Sequence, residues 1–316
     1  MNNFVIILGE PNSINSEILA KSKAYKSNAI IIGNYQLLKS QLKILKINRK
    51  LKKIKKIEDV INSKKALNIL DVPLKFKHAF LVNHKESKNY VRKCFNLAHK
   101  LCLHNKIKGM INCPINKKNI FKNENIGVTE FLARKNKVNR QEAMIIYNKK
   151  LSVVPLTTHI KIKKVSKFIK KDLILKKIKT INNYYFKYFK KKPRIAVLGL
   201  NPHNYEFKKD SEEVKVIKPA IIILKKKYKI SGPYSSDTIF MKENLKKFDV
   251  IVGMYHDQVL PPFKAIFGFD AVNITLGLPY IRMSPDHGVA NDKIKLNISN
   301  PESINKCIDI ISKLVK

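Results

Sequence analysis

The sequence predicts an α/β protein, a sheet layered by helices, on three observations. Short apolar runs such as Phe4 to Leu8 and Ala29 to Ile32 are closed by Gly, Pro or Asn, the pattern of buried strands with tight turns. Longer stretches with apolar residues at three- and four-residue steps stand between them, each opened by a residue able to cap a helix. The two patterns alternate along the chain, which is the order that places helices over a sheet. With 316 residues and 44% apolar content, the chain can build one large or two ordinary domains.

Taken in order, Phe4 to Leu8 is the first strand, turned at Gly9 and Pro11, and Asn15 or Ser16 caps a helix through Ala24. Ala29 to Ile32 is the next strand, Asn34 a cap, and Tyr35 to Leu45 a helix. Lys46 to Lys65 reads as helical or irregular, a solvated basic face over an apolar stripe. Tyr90, Cys94, Leu97 and Leu101 mark a helix over Ser87 to Cys102, which leads to a strand at Gly109 to Asn112 stopped by Pro114. Lys117 lies just beyond, at the strand-end edge where open α/β sheets bind ligands. Val153 to Leu156 is another apolar strand run. Ile162, Val165 and Ile169 form a helical stripe, and the aromatic cluster Tyr184, Tyr185, Phe186, Tyr188 and Phe189 is expected to pack in the core at a helix end. Arg194 to Leu200 and Asp249 to Met254 are strands; between them Ser235 or Ser236 caps a helix containing Phe240 and Leu245.

The formal charge of +41 invites a nucleic-acid or anionic-membrane partner. Only six of the 64 basic residues are Arg, whose planar fork serves base and phosphate recognition better than Lys does. Trp is absent while Ile, Asn, Tyr, Phe and Lys abound, all with AT-rich codons, so a low-GC genome accounts for the charge and no nucleic-acid partner is expected. Four Cys without CxxC spacing, and no signal or membrane segment, give the expectation of reduced thiols in a cytoplasmic protein.

One constellation carries chemistry. His159, His203 and His256 each follow a candidate strand by two or three residues, so strands sharing a sheet would aim three imidazoles at one crevice, where they suit a divalent metal such as zinc. The alternative is that scattered His are surface or core residues, as His78, His84, His99 and His104 are taken to be. Lys264, Asn273 and Arg282 recur every nine residues, and an ammonium, an amide and a guanidinium converging on a crevice would hold a phosphate and a carboxylate. Asp286, His287 and Gly288 open a loop suited to lie against a nucleotide, and no GxGxxG is present to support an ordinary dinucleotide turn.

These residues fall within longer motifs: GEPNSINSE near the start, INCPINK, GVTEFLA, PLTTHI, LNPHNYE, GPYSSDTIF, then YHDQ, VNITLGLP, IR and DHG. In that order, over nearly the whole chain, the sequence resembles the 4-hydroxythreonine-4-phosphate dehydrogenase family of pyridoxal phosphate (vitamin B6) synthesis. The resemblance implies a two-lobed α/β/α fold like that of isocitrate and isopropylmalate dehydrogenases, with the active site in the cleft between lobes. It implies a nucleotide-binding lobe from 1–125 with 275–316 and a metal, substrate and dimerisation lobe at 126–274. His159, His203 and His256 match the family's metal ligands, for Zn, Mg or Co, and Thr129, Lys264, Asn273 and Arg282 its substrate-binding residues. Asp286, His287, Gly288 and Asn291 match the loop that meets NAD or NADP. The family draws its metal ligands from both subunits of a homodimer.

The expected reaction is oxidation at a hydroxyl-bearing carbon followed by loss of CO₂, with Lys264 as proton donor or phosphate contact and Asp257 as partner of a metal-binding His. Alternatives are a sister dehydrogenase acting on 4-phosphothreonate or 4-phosphoerythronate, and a homologue with a decayed site. Departures from the family pattern bear on that choice. Val128 stands where the family has His, and Glu10, Asn12, Ser13, Asn15 and Ser16 replace its first turn. Asn204 to Phe207 replaces a Gly-rich turn, and Lys295 and Asn297 stand where glycines are expected.

Overall fold

A computed structural model describes residues 3–27, 29–60, 66–104, 107–121, 127–138, 141–268 and 270–315. The chain divides into two compact units, Met1–Asn125 with Pro279–Lys316, and Ile126–Leu278.

The first unit opens with β1 (Asn3–Ile7), α1 (Asn15–Lys21), β2 (Ala29–Gly33), α2 (Tyr35–Ile44), β3 (Lys50–Ile54) and β4 (Ala66–Asp71). It continues with α3 (His84–Leu103), β5 (Ile107–Asn112) and α4 (Lys117–Ile120). The second unit holds α5 (Val128–Lys135), β6 (Ala143–Tyr147), β7 (Ser152–Thr157), α6 (Val165–Phe168), α7 (Lys171–Phe189) and β8 (Ile195–Leu198). Then come α8 (Lys218–Lys225), β9 (Ile230–Tyr234), α9 (Lys242–Leu245), β10 (Val250–Tyr255), α10 (His256–Phe267) and β11 (Val272–Leu276). The chain returns to the first unit with β12 (Ile281–Pro285) and α11 (Glu302–Leu314).

In the first unit the strand order is β3-β4-β2-β1-β5-β12, all neighbours parallel. Parallel central strands are covered on both faces, which is why Phe4 to Ile7 and Ile30 to Ile32 are unbroken apolar runs and fully buried. The second unit orders β11-β6-β7-β10-β8-β9, antiparallel through β11, β6 and β7 and parallel from β7 to β9. Its core gathers Val153, Ala196, Ile251, Val259 and Phe263 between strands and α10. The α/β architecture expected from the alternation is therefore the observed one.

Several elements differ from expectation. Neither Asn15 nor Ser16 caps α1; Asn15 lies inside it and donates its amide to the Pro114 carbonyl at 2.9 Å. The helix stops at Lys21 because the Ser22 hydroxyl accepts Ala24 N–H and opens a separate 3-10 turn over Lys23–Lys26. Within Lys46 to Lys65 the structure has the edge strand β3 and a 3-10 turn at Ile57–Asp59; positions 61–65 lie outside the described residues. Lysines on an edge strand block pairing with another chain and hide its period. The expected helix around Phe240 shrinks to α9, which starts after Met241 without a Ser cap. The aromatic cluster packs as expected through Tyr185 and Tyr188, and Phe189 stacks on Tyr147 at 4.2 Å. All four Cys are free and buried. Among the described residues no helix is long and apolar enough to cross a membrane.

Candidate active site

Strands β7 and β10 are parallel neighbours with Tyr255 opposite Thr157. Each continues into a histidine: His256 begins α10 and His159 stands two residues past β7. The register therefore sets the two imidazoles side by side, with ring centroids 6.3 Å apart and planes inclined at 39°. Gln258 fixes the start of α10, its carbonyl accepting Met254 N–H at 2.7 Å and its amide donating to the Gly199 carbonyl at 2.8 Å.

Glu130 supports His159. One carboxylate oxygen accepts Gly127 N–H at 2.9 Å, tying down the start of α5. The other accepts the Thr158 hydroxyl at 2.8 Å and lies 3.8 Å from His159 Nδ1. Burial opposes ionisation here, but His159, the residue's own backbone N–H and Thr158 together outweigh it and hold the carboxyl down to about 2. A Cβ on Gly127 would come within 2.8 Å of the carboxylate and 3.1 Å of the His159 ring, so any larger residue must push these side chains aside.

His256 Nδ1 lies 2.7 Å from Asp257 Oδ1, and His203 Nδ1 lies 3.8 Å from Asp237 Oδ2. Of the three, only His256 Nδ1 is within hydrogen-bond distance of its carboxylate, a contact that favours the tautomer whose Nε2 lone pair is available to a metal; at 3.8 Å the other two are electrostatic neighbours. This donor chemistry fits a divalent cation. Among the described residues no three His, Cys, Asp or Glu come together as a metal-holding group, and the His203 side chain is 76% exposed.

Strand β8 ends at Leu198, two residues earlier than its apolar run suggests, and the chain then enters a turn over Pro202–Phe207. His203, Asn204, Tyr205, Glu206 and Phe207 all have φ between +47° and +56°. Left-handed helical backbone costs roughly 1–2 kcal/mol for each residue with a Cβ, so this turn must be held by its surroundings. Asn204 is buried within it and donates its amide to the Pro233 carbonyl at 3.4 Å. Gly199 is needed beneath it, since a Cβ there would overlap the Asn204 side chain.

The substrate-type residues divide between the units. Thr129, in the first turn of α5, is buried and shares a 3.1 Å hydroxyl contact with Thr275 on β11. Asn273 precedes Thr275 by two residues and so shares its face of the strand; its Oδ1 is buried without a hydrogen-bond partner. Lys264 lies on α10 eight residues beyond His256, roughly 12 Å along the axis. The Val128 side chain, beside Thr129, is buried and apolar.

Arg282, 3% exposed, belongs to the first unit, where its Nε donates to Asn112 Oδ1 at 2.8 Å. The loop after β12 lies in the same unit. Asp286 N–H donates to the Ser303 hydroxyl at 2.9 Å, and Asn291 opens a 3-10 turn. His287 Nδ1 meets the Gly288 carbonyl at 3.0 Å while its Nε2 is buried without a partner, and burial lowers its tendency to protonate.

Sequence reasoning missed the groups beside these side chains: Glu130, Asp237, Thr275 and Asn112. Only Glu130 had a local signal, the helix-start spacing Gly127-Val128-Thr129-Glu130. The others act through contacts far along the chain.

Comparison with known proteins gives consistent results. The family described as "Pyridoxal phosphate biosynthetic protein PdxA" matches residues 25–311. The chain is 38% identical to a 4-hydroxythreonine-4-phosphate dehydrogenase of Sulfurihydrogenibium sp. (strain YO3AOP1), covering 98% of this chain and 97% of the relative. It is 31% identical to a D-threonate 4-phosphate dehydrogenase of Pectobacterium atrosepticum, covering 98% of each. The crystal structure of 4-hydroxythreonine-4-phosphate dehydrogenase from Klebsiella pneumoniae superposes with a TM-score of 0.86 at 28% identity over 100% of both chains. At the level of fold alone, isocitrate dehydrogenase from Methylococcus capsulatus matches with a TM-score of 0.50 at 10% identity, over 99% of this chain and 88% of that one.

Proposed function

This chain belongs to the PdxA family of pyridoxal phosphate biosynthetic proteins, and from that premise we propose that it oxidises and decarboxylates 4-phosphohydroxy-L-threonine to 3-amino-2-oxopropyl phosphate and CO₂, with NAD or NADP as hydride acceptor. The observation that carries this reading is the paired His159 and His256, each backed by a carboxylate at Nδ1, on adjoining strand ends.

His159 and His256, with His203, would hold a divalent cation, Zn, Mg or Co, through Nε2. Bound there, such a cation supplies Lewis-acid stabilisation of the substrate oxygen that gains charge, and the nicotinamide supplies the acceptor for hydride. Asp257 keeps the His256 ring in one orientation and tautomer, and Glu130 is the electrostatic neighbour of His159. Asn273 Oδ1, which has no partner within the chain, accepts a substrate N–H or O–H once the surrounding side chains make room, and the Thr129 hydroxyl makes a second polar contact on the same side. Arg282, aligned by Asn112, and Lys264 bind the phosphate and carboxylate, and Lys264 returns a proton to the carbon that loses CO₂. The loop Asp286, His287, Gly288 and Asn291 receives the nucleotide.

A homodimer completes the site. Support comes from exposed apolar residues on the turn that carries His203 and on α8: Tyr205, Phe207, Ile222 and Ile223 are 44–56% exposed, and Lys218 ties Phe207 to α8. A second substrate deserves a place in the test, because Val128 removes a polar contact and D-threonate 4-phosphate dehydrogenases are among the similar proteins.

The test is a panel of 4-phosphohydroxythreonine, 4-phosphothreonate and 4-phosphoerythronate with NAD and NADP and added Zn²⁺, Mg²⁺ or Co²⁺. Metal-dependent NAD(P)H formation with CO₂ release from the first substrate is expected. Preference for a phospho-sugar acid would replace the proposed substrate, and no reduced nucleotide under any condition would overturn the dehydrogenase reading.

A further inference from the structure

Glu213 is fully buried and plays no part in the reaction outlined above. Its hydrogen-bond partners all lie just ahead of the left-handed turn. One carboxylate oxygen accepts Leu200 N–H at 2.7 Å and Asn201 N–H at 2.8 Å, and the other accepts the Asn201 side-chain amide at 3.0 Å. Burial opposes its ionisation, yet these donors together hold the carboxyl below its usual range. It stands at the start of a π-helical turn, Glu213–Ile217, that runs into α8, so a rigid element carries it.

Five successive Cβ-bearing residues at positive φ do not hold themselves. The turn is determined from both sides, by Glu213 at its entry and by Asn204 from within, and the exposed His203 ring takes its direction from that frame. We propose that Glu213 is the positioning residue for His203: its carboxylate fixes the backbone two residues upstream and thereby sets the imidazole for metal coordination. This rests on His203 being a metal ligand, and it assigns the buried charge a role in the site beyond stabilising the fold.

The test measures Co²⁺ affinity of the folded protein by direct titration, without substrate or nucleotide. Glu213→Ala should raise the Kd for Co²⁺ by about tenfold or more, the range seen when a group behind a ligand is lost. Glu213→Asp keeps the charge but withdraws it by one methylene; it should weaken binding by roughly threefold or more and carries the test if the Ala variant does not fold. Because Glu213 acts through His203, the double variant His203→Ala/Glu213→Ala should bind Co²⁺ no more weakly than His203→Ala alone. Wild-type affinity in folded Glu213 variants, or fully additive losses in the double variant, would overturn the inference while leaving His203 as a ligand. Unchanged Co²⁺ affinity in His203→Ala would instead remove His203 from the proposed site, and the inference with it.

Discussion

His159 and His256 stand side by side, 6.3 Å between ring centroids, because Thr157 and Tyr255 are paired in register on parallel strands. Neither imidazole depends on a long loop for its position. Replacing either by Ala is expected to leave the sheet intact and to weaken divalent-metal binding by about a hundredfold or more, since one of few donors is lost. Calorimetric titration with Zn²⁺ or Co²⁺, beside a thermal melt, checks this. Unaltered affinity in both variants would remove the pair from the metal site.

Gly127 separates the role of Glu130 from that of the histidines. Its φ is −96°, so Ala is compatible with the backbone, but the added methyl would push on the Glu130 carboxylate and the His159 ring. Gly127→Ala should therefore shift the pair without removing a donor. The expected result is a weaker metal complex and a loss of stability of about 1–3 kcal/mol, the range for overpacking a tight site. A variant with wild-type metal affinity would show that His159 tolerates displacement.

Stability towards acid has an identifiable contributor away from the histidines. Asp249 accepts Lys191 Nζ at 2.8 Å and Arg194 N–H at 2.9 Å, with further bonds from the guanidinium. Burial opposes ionisation, but Arg194 and Lys191 outweigh it and hold the carboxyl at about 2, against 3.8 when free. A depressed folded-state pKa gives stability that is present above the unfolded value, near pH 4, and is lost as the pH falls through about 2. Asp249→Asn should be less stable than wild type by on the order of 2 kcal/mol at neutral pH, with the gap closing between pH 4 and pH 2. Denaturant melts across that window test it; a gap independent of pH would exclude the ionised carboxylate as the cause.

Much of the fold could be read because buried parallel strands are written as unbroken apolar runs, as in Val153 to Leu156 and Val250 to Met254. Strand β3 was hidden because its lysines serve an edge, where charge matters more than period. The adjacency of His159 and His256 was legible, since both stand at strand ends. The left-handed turn that carries His203 was only partly legible: Asn204 and the Gly-rich turn expected at these positions hint at it, Tyr205, Glu206 and Phe207 do not, and what holds it, Glu213 and Gly199, lies elsewhere in the sequence. Arg282 stood out by its rarity, but its partner Asn112 lies 170 residues away.

Gly288 distinguishes what the fold needs from what a nucleotide would need. A Cβ built there meets nothing within 4 Å, and the residue has no positive φ, so neither packing nor backbone requires glycine. Gly288→Ala should therefore melt within about 0.5 kcal/mol of wild type, as exposed substitutions without a lost contact do. If the loop after β12 receives the dinucleotide by close backbone approach, the same methyl intrudes on the bound cofactor. The KM for NAD or NADP should then rise by about tenfold or more, the cost of a clash of 1–2 kcal/mol, with the KM for the phosphorylated substrate unchanged. Steady-state kinetics varying one substrate at a time separates the two constants. An unchanged nucleotide KM, with stability also unchanged, would mean that the cofactor does not approach Gly288, and the nucleotide contact would have to move away from this loop segment.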